Sequence, residues 1–170
     1  MADQFDPQGT SRLYWIDTIA GIASGTFAPT VAELTAAVRL DCYVLPDGFE
    51  GLSQEPGYTE ATTMCDTAQR FVRGLATTNN GSLTLTRASL SGDAGTTIFT
   101  GLKADEGKSG WLVELLAGSG TAGTFASGDL VDVYGVQLTT VMPSRTAGVK
   151  RYMVGFAARS APVLGLAVLT

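Results

Sequence analysis

The residue types that carry most enzyme chemistry are scarce in this sequence. It contains no histidine, so Ser-His-Asp and Cys-His nucleophiles, HExxH zinc sites and histidine pH switches are all excluded. Its two cysteines, Cys42 and Cys65, are too few for a structural zinc site, which takes four Cys or His ligands. A disulfide between them fits their spacing, but we interpret them as free thiols in a reducing cytosol. The sequence therefore predicts no metal and no cofactor.

Paired carboxylates are the next candidates for chemistry, since two acids can act as general acid and base. The pairs that lie close in sequence are Asp105 with Glu106, Asp41 with Asp47, and Glu55 with Glu60. A catalytic carboxyl needs burial or a charged partner to tune its pKa. Adjacent acids in a turn flanked by Gly and Lys are typically solvated, so we predict that the protein is not an enzyme.

One nucleotide-binding motif occurs literally, because residues 118–123 read GSGTAG. The GxGxxG fingerprint holds a pyrophosphate only where a helix N-terminus follows the glycines. Here residues 124–129 lead into an alternating apolar run, which is typical of a strand. We therefore interpret the glycine-rich segment as a flexible hairpin connection.

Length and composition indicate one globular domain, which we place at residues 12–170. The 170 residues are 45% hydrophobic and 16% charged, with 21 glycines, a composition that favours strands and turns over long helices. The net charge of −5 argues against a non-specific grip on nucleic acid, which depends on Lys and Arg. The N-terminus has no signal-peptide pattern, and the longest apolar run, residues 161–169, is too short to cross a membrane.

Two short helices are predicted. Thr30 and Glu33 form a capping box after Pro29, and Val31, Leu34 and Val38 then share one helical face. A second helix is predicted over Asp93–Ala104, with Asp93 as its N-cap.

Period-2 alternation predicts most of the remaining chain as strands. The predicted strands cover residues 12–17, 39–45, 67–72, 82–87, 111–116, 130–141, 149–160 and 163–169, with a further strand around Phe49 and Leu52. Pro46-Asp47-Gly48 is predicted to be a turn. Seven to nine strands with two short helices indicate a mainly β fold, an antiparallel β-sandwich or partly closed barrel.

Two segments lack core-forming residues. Residues 1–11 are polar and aperiodic, which predicts a flexible N-terminal arm. Residues 53–66 are predicted to be a long protruding loop or hairpin, and connections of this length usually serve a function or become ordered on binding.

Charge is unevenly distributed along the chain. Residues 141–170 contain four bases and no acid, whereas the first 140 residues contain the other seven bases and all 16 acids. The four bases are Arg145, Lys150, Arg151 and Arg159. They form either an ordinary solvated face or one half of a complementary contact that repeats head to tail between subunits.

Taken in order, these segments resemble the tail tube protein, or major tail protein, of long-tailed (siphovirus-type) phages of actinobacteria. The resemblance covers about residues 12–168 and depends on the ordered set, since each piece alone is merely a good strand, helix or turn. Residues 54–74 and 88–108 match the pattern poorly. The pieces are LYWI at 13–16, APTVAEL at 28–34, DGF at 47–49, SLTLTR at 82–87, GWLV at 110–113, VDVYGV at 131–136, YMVGFA at 152–157 and SAP at 160–162.

The resemblance implies a virion protein, assembled in the host cytoplasm, that forms stacked hexameric rings. Each subunit would lend strands to an inner barrel through which genomic DNA leaves, and the tube would contact the tape measure, terminator and distal tail proteins. We expect the 53–66 segment to make inter-ring or lumen contacts, as an assembly loop, through Glu55, Tyr58, Glu60 and Asp66. The N-terminal arm and the four C-terminal bases would make inter-ring contacts.

Two alternatives remain open. A tail terminator or neck protein would have the same fold but form a single ring. A monomeric carbohydrate- or ligand-binding sandwich would instead use an apolar pocket with a few polar groups.

Overall fold

The computed structural model describes residues 12–19, 27–60, 71–73, 76–87, 92–117, 126–144 and 150–170. Its main feature is a curled antiparallel sheet that forms a half-barrel with two helices, which confirms the predicted fold class. The strands of this sheet are β1 (Arg12–Ile16), β2 (Val38–Arg39), β3 (Val44–Glu50), β8 (Gly81–Thr86), β9 (Ser109–Ala117), β10 (Leu130–Ser144), β11 (Arg151–Ala158) and β12 (Val163–Ala167). The helices are α1 (Val31–Ala36) and α2 (Ala94–Ala104). Four short strands lie outside the sheet: β4 (Gln54–Glu55), β5 (Tyr58–Glu60), β6 (Phe71–Arg73) and β7 (Thr77–Thr78).

The long strand β10 organises the sheet, whose order is β2-β1-β9-β10-β11-β8-β3. Along one edge β10 pairs with β9, as far as Gln137 opposite Ser109. Along the other edge it pairs first with β12 and then, from Val136 onward, with β11. The C-terminal half of β10 therefore extends beyond β9.

Alternation places one apolar set of side chains on the inner face of the half-barrel. On β11, Tyr152, Val154 and Phe156 are buried, as the sequence predicted. Helix α2 covers this core with Leu102, and its Phe99 ring meets Tyr152 edge-on at 5.0 Å between centroids. The other buried members are Leu13, Trp15, Leu40, Leu52, Leu83, Leu85, Leu112, Val136, Leu138 and Val141.

A second core lies on the outer face, at the end of the sheet formed by β1, β9 and the start of β10. Helix α1 covers it with Leu34, and Val168 closes it from the C-terminal segment. The buried residues they cover are Tyr14, Ile16, Ile19, Val113, Leu115, Val131 and Val133. One end of the outer face is thus packed, whereas the rest of that face has no second layer of described strands.

The predicted strand over residues 39–45 is wrong. Strand β2 ends at Arg39, and a tight turn follows in which the Val44 amide donates to the Leu40 carbonyl at 3.1 Å. Arg39 and Asp41, two residues apart, form an ion pair at 2.8 Å. Cys42 is exposed and forms no disulfide with a described residue. The alternating residues 39–45 therefore span the end of β2, a turn and the start of β3, and they do not form one continuous strand.

The predicted turn at Pro46-Asp47-Gly48 is also wrong, because these residues lie within β3. Val44 pairs with Leu85 and Phe49 with Leu83, so the residues between them form a bulge. A β-carbon on Gly48 would lie 2.6 Å from the Thr84 carbonyl oxygen. Glycine is needed here because the bulge brings two backbones together.

The helix predictions hold with two corrections. Helix α1 ends at Ala36, so Val38 lies in β2, 40% exposed, rather than on the helical face. Asp93 directly precedes α2 but its side chain makes no capping hydrogen bond; its carbonyl instead accepts from Thr96 and Thr97. The strands predicted near residues 12, 82, 111, 130, 149 and 163 correspond to β1, β8, β9, β10, β11 and β12. Leu52 lies beyond β3, buried, with φ +56°.

Candidate functional site

The capping box at the start of α1 is present as predicted. The Glu33 amide donates to Thr30 Oγ1 at 3.2 Å, and the Thr30 amide donates to Glu33 Oε2 at 2.7 Å. The next amide, of Val31, donates to the Leu169 carbonyl at 3.0 Å. Thr30 and Glu33 thus fix the start of α1 against the C-terminal segment, so their role in the fold is structural.

The predicted 53–66 loop or hairpin forms the first part of a longer, two-part β-ribbon, and we call residues 53–79 the arm. Strand β4 pairs with β7, strand β5 pairs with β6, and neither ladder joins the large sheet. At its base, the Asn79 amide donates to the Ser53 carbonyl at 3.0 Å. The ribbon returns through residues that the sequence had placed outside the loop, so the segment is longer than predicted.

The predicted arm residues fall at different levels of this ribbon. Glu55 lies near the base, where Oε1 accepts from Asn79 Nδ2 at 2.8 Å. Tyr58 and Glu60 lie on β5, and the Tyr58 side chain is 67% exposed. An exposed tyrosine supplies a large amphipathic contact surface, which suits an interface. Asp66 lies outside the described residues.

The predicted C-terminal bases do not form one patch. Arg151 begins β11 and Arg159 follows its end, so about 27 Å of extended strand separates them. Arg159 is exposed and Nη1 donates to Gln137 Oε1 at 3.3 Å. Lys150 is exposed beside Arg151, and Arg145 lies outside the described residues.

Sequence reasoning missed Arg87, which joins the basic end of β11. Its amide donates to the Lys150 carbonyl at 2.8 Å, and Thr86 pairs with Arg151. The Arg87 guanidinium carbon lies 4.1 Å from the centre of the Phe99 ring, a cation–π contact with α2. The sequence did show that Arg87 is a base at the end of the strand predicted over residues 82–87. Only the β8–β11 register shows that it lies beside Lys150 and Arg151.

Sequence reasoning also missed the part of the outer face that α1 leaves uncovered, which we call the open face. Met153 of β11 lies between Met142 of β10 and Thr84 of β8. Met142 and Met153 are 53% and 42% exposed. The open face also contains Thr140, Ser144, Gly155, Ala157, Ser82 and Thr86. The charged residues among its described positions are Arg151, Glu50 and Arg159, which bonds Gln137 opposite Ala157. It is a small-residue, hydroxyl-rich surface with little charge.

The described residues offer little for catalysis. No group of three or more His, Cys, Asp or Glu among them is placed to hold a metal ion. Burial raises the pKa of Tyr134 and of Tyr152 to about 12, and the Glu114 carboxylate adds to the shift at Tyr134. A higher pKa keeps these phenols protonated, the opposite of what a nucleophile needs. The glycine-rich 118–123 motif lies outside the described residues, but the segment after it is strand β10, as predicted.

No helix in the described part of the chain is long and apolar enough to cross a membrane.

Comparison with known proteins gives one family and a solved structure of similar fold. A search of the curated proteins finds no match. Among solved structures, the chain is similar to one in the cryo-EM structure of the anti-feeding prophage baseplate, which was 6-fold symmetrised. That match has a TM-score of 0.57 and 10% identity, and it covers 98% of this chain and 99% of the other. The family described as phage tail tube protein matches residues 1–170, so the chain belongs to the phage tail tube protein family and is a structural component of a virion tail.

Proposed function

We propose that the protein forms hexameric rings that stack head to tail into a tail tube, and that genomic DNA leaves the virion through its lumen. The family match supports tube formation, and the six-fold symmetrised assembly of the structural neighbour suggests the ring number. Within this proposal, residues 12–170 act as one domain. Residues 1–11, the N-terminal arm of the sequence analysis, are a separate segment that contacts the next ring. The tape measure, terminator and distal tail proteins are the proposed further partners.

The observation that carries the proposal is the arm, a β-ribbon whose strands pair only with each other among the described residues. A two-stranded ribbon is at best marginally stable in water without a further packing surface. Tyr58 is largely exposed on it. We assign the missing surface to a neighbouring subunit, with Tyr58 and Glu60 in the contact and Glu55 holding the base.

We assign the open face to the lumen wall. A conduit for DNA must not bind phosphates, and Lys or Arg on its wall would do so. The described part of the open face has many hydroxyl groups, no lysine, and two arginines, Arg151 at one end and Arg159 at the other. Its described charges are those of Glu50, Arg151 and Arg159, and the two arginines lie at its ends, so small neutral groups would form most of the wall.

The bases at the start of β11 are proposed to contact acidic groups of the next ring. Lys150, Arg151 and Arg87 form this group, while Arg159 lies too far along β11 to belong to the same contact. Arg145 is proposed to join them on the strength of its sequence position alone.

Shortening the arm tests the assembly role. Glu55 pairs with Thr77, so replacing residues 56–76 with Asn-Gly closes the β4–β7 ladder as a two-residue hairpin. We expect this variant to keep the urea midpoint of the wild-type subunit, because no described residue of the arm belongs to either buried core. In negative-stain electron microscopy we expect rings or single subunits in place of tubes.

Tyr58→Ser is the point variant for the same contact, and it should shorten tubes without changing subunit stability. Thr97→Ser, an exposed position on α2, is its control for handling and purification. Wild-type tube length and yield from the shortened variant would overturn the role of the arm.

Cysteine labelling tests the lumen assignment. In a Cys42→Ser, Cys65→Ser background, Met153→Cys should react with a small maleimide in both subunits and tubes. A bulky polymer-linked maleimide should label it in subunits but only slowly in tubes, because the reagent must enter through the tube ends. Equal rapid labelling in both states would show that the open face is on the outside.

A further inference from the structure

The C-terminal half of β10 has an edge with which none of the described strands pairs. Beyond Gln137, β9 no longer accompanies β10, whereas β11 continues along its other side to Ser144. Backbone groups of successive residues in a strand point to alternate sides. Val141 and Pro143 therefore direct their backbone groups away from β11, toward the uncovered edge. An edge of this kind is a template for pairing with a strand of another chain.

A carboxylate occupies the donor on this edge. The Val141 amide donates to Glu106 Oε1 at 2.6 Å. Lys103 Nζ holds the same carboxylate, at 2.7 Å from Oε1 and 2.8 Å from Oε2. Lys103 Nζ also lies 3.4 Å from the Val141 carbonyl oxygen, so the same pair of side chains meets both backbone groups of one residue.

The next position on the edge has no donor at all. Pro143 lies opposite Tyr152 and has no N–H group. Proline is tolerated in sheets where the missing N–H would face outward from an edge strand, which is its position here. A second chain approaching this edge would find Val141 occupied and Pro143 unable to donate.

The turn after α2 is held so that Glu106 reaches Val141. The Gly107 amide donates to the Leu138 carbonyl at 2.7 Å, and the Leu138 amide donates to the Lys108 carbonyl at 2.9 Å. Gln137 Nε2 adds a bond to the Gly107 carbonyl at 2.8 Å. The turn thus continues the β9–β10 ladder by one residue and places the Glu106 side chain over the next donor. Lys103 and the Val141 amide both hold the pKa of Glu106 below its usual value.

We propose that Glu106, positioned by Lys103, acts with Pro143 as an edge guard that keeps β10 from pairing with a strand of a second copy of this chain. The guard leaves assembly to the other surfaces of the subunit and suppresses the irregular edge-to-edge association to which open sheets are prone. It is independent of ring number and of what passes through the lumen.

Glu106→Ala removes the acceptor and tests the guard, with Lys108→Ala as the matched control. The Lys108 side chain pairs with Asp105 at 2.6 Å in the same turn, but its backbone, not its side chain, bonds β10. Hydrogen exchange of the Val141 amide, followed by NMR on the dilute unassembled subunit, reports the edge directly. We expect exchange to rise about tenfold or more in Glu106→Ala, since hydrogen bonds to charged groups are among the stronger ones. Lys108→Ala should leave it unchanged.

Association is measured in the same variants by light scattering and thioflavin T fluorescence. Glu106→Ala should form irregular, thioflavin-positive aggregates faster than wild type, and Glu106→Ala with Pro143→Val, which restores a donor, should do so faster still. Glu106→Gln should aggregate at a rate between those of wild type and Glu106→Ala. Its amide oxygen still accepts from the Val141 amide, but the ion pair with Lys103 is lost.

Wild-type exchange at Val141, or faster exchange without faster aggregation in the double variant, would overturn the guard. If Glu106→Ala proves poorly folded, Pro143→Val alone decides the outcome, since it leaves the Glu106 contacts in place. If the wild-type protein fails to form tubes, the proposed function is contradicted. The exchange and aggregation measurements on the subunit still test the guard, because they do not depend on tube formation.

Discussion

Substituting Gly110 by alanine should destabilise the subunit because β9 passes too close to β1 for a side chain there. A β-carbon on Gly110 would lie 2.5 Å from Cη2 and 2.6 Å from Cζ2 of Trp15, and 2.8 Å from the Ile16 carbonyl oxygen. Trp15 is 2% exposed and packs against Phe156, with ring centroids 6.2 Å apart. The indole therefore cannot move aside without displacing the inner core.

The size of the effect follows from two opposing contributions. Overpacking a well-packed core costs about 1–3 kcal/mol, and the nearby backbone oxygen favours the upper part of that range. Replacing glycine by alanine lowers the entropy of the unfolded chain and returns about 0.4–1 kcal/mol. We expect a net loss of about 2 kcal/mol. With a urea m-value of about 2 kcal/mol/M, the unfolding midpoint should fall by about 1 M.

Gly101→Ala is the matched control. Gly101 lies inside α2, where a β-carbon would meet no atom within 4 Å. Alanine is favoured over glycine in a helix interior by about 0.8–1 kcal/mol, so the midpoint of this variant should rise. Urea unfolding of the unassembled subunit, followed by tryptophan fluorescence, measures both variants. A Gly110→Ala midpoint equal to or above that of wild type would refute the packing of Trp15 against β9.

Three further outcomes are expected for the free energy of unfolding. Thr30→Ala should lower it by about 1 kcal/mol through loss of the capping box, measured by urea unfolding. Leu34→Ala, at the buried position of α1, should lower it by about 2–5 kcal/mol in the same assay, and a loss below about 1 kcal/mol would contradict the second core. Burial raises the pKa of Tyr152 to about 12, so its stabilising contribution is present below pH 10 and lost as pH rises toward 12. Tyr152→Phe should therefore flatten the fall in stability between pH 10 and 12, and an unchanged slope would contradict this.

Local sequence signals predicted those elements whose structure depends on a few neighbouring residues. The capping box at Thr30 and Glu33 marked the start of α1, because side chains three residues apart satisfy each other there. Alternation on β11 identified Tyr152, Val154 and Phe156 as core, since one face of the strand is buried. The resemblance to phage tail tube proteins, which depended on the order of such elements, is confirmed by the family match over residues 1–170, while its assignment to siphovirus-type phages of actinobacteria stays a prediction.

The errors arose where pairing between distant strands overrides local preference. Pro46-Asp47-Gly48 carries turn residues, yet β8 holds both flanks of it and makes it a bulge. The loop or hairpin predicted over residues 53–66 was too short, because the strands that pair with β4 and β5 lie at Thr77–Thr78 and Phe71–Arg73. The bases predicted as one face separate because Arg151 and Arg159 lie at opposite ends of one strand.

Electron microscopy of the purified, concentrated protein shows whether this chain builds a tube. We predict hollow tubes of uniform diameter, with six-fold symmetry in end-on views and cross-sections. Discrete particles that do not stack on long incubation, together with absence of the chain along isolated virion tails, would contradict it.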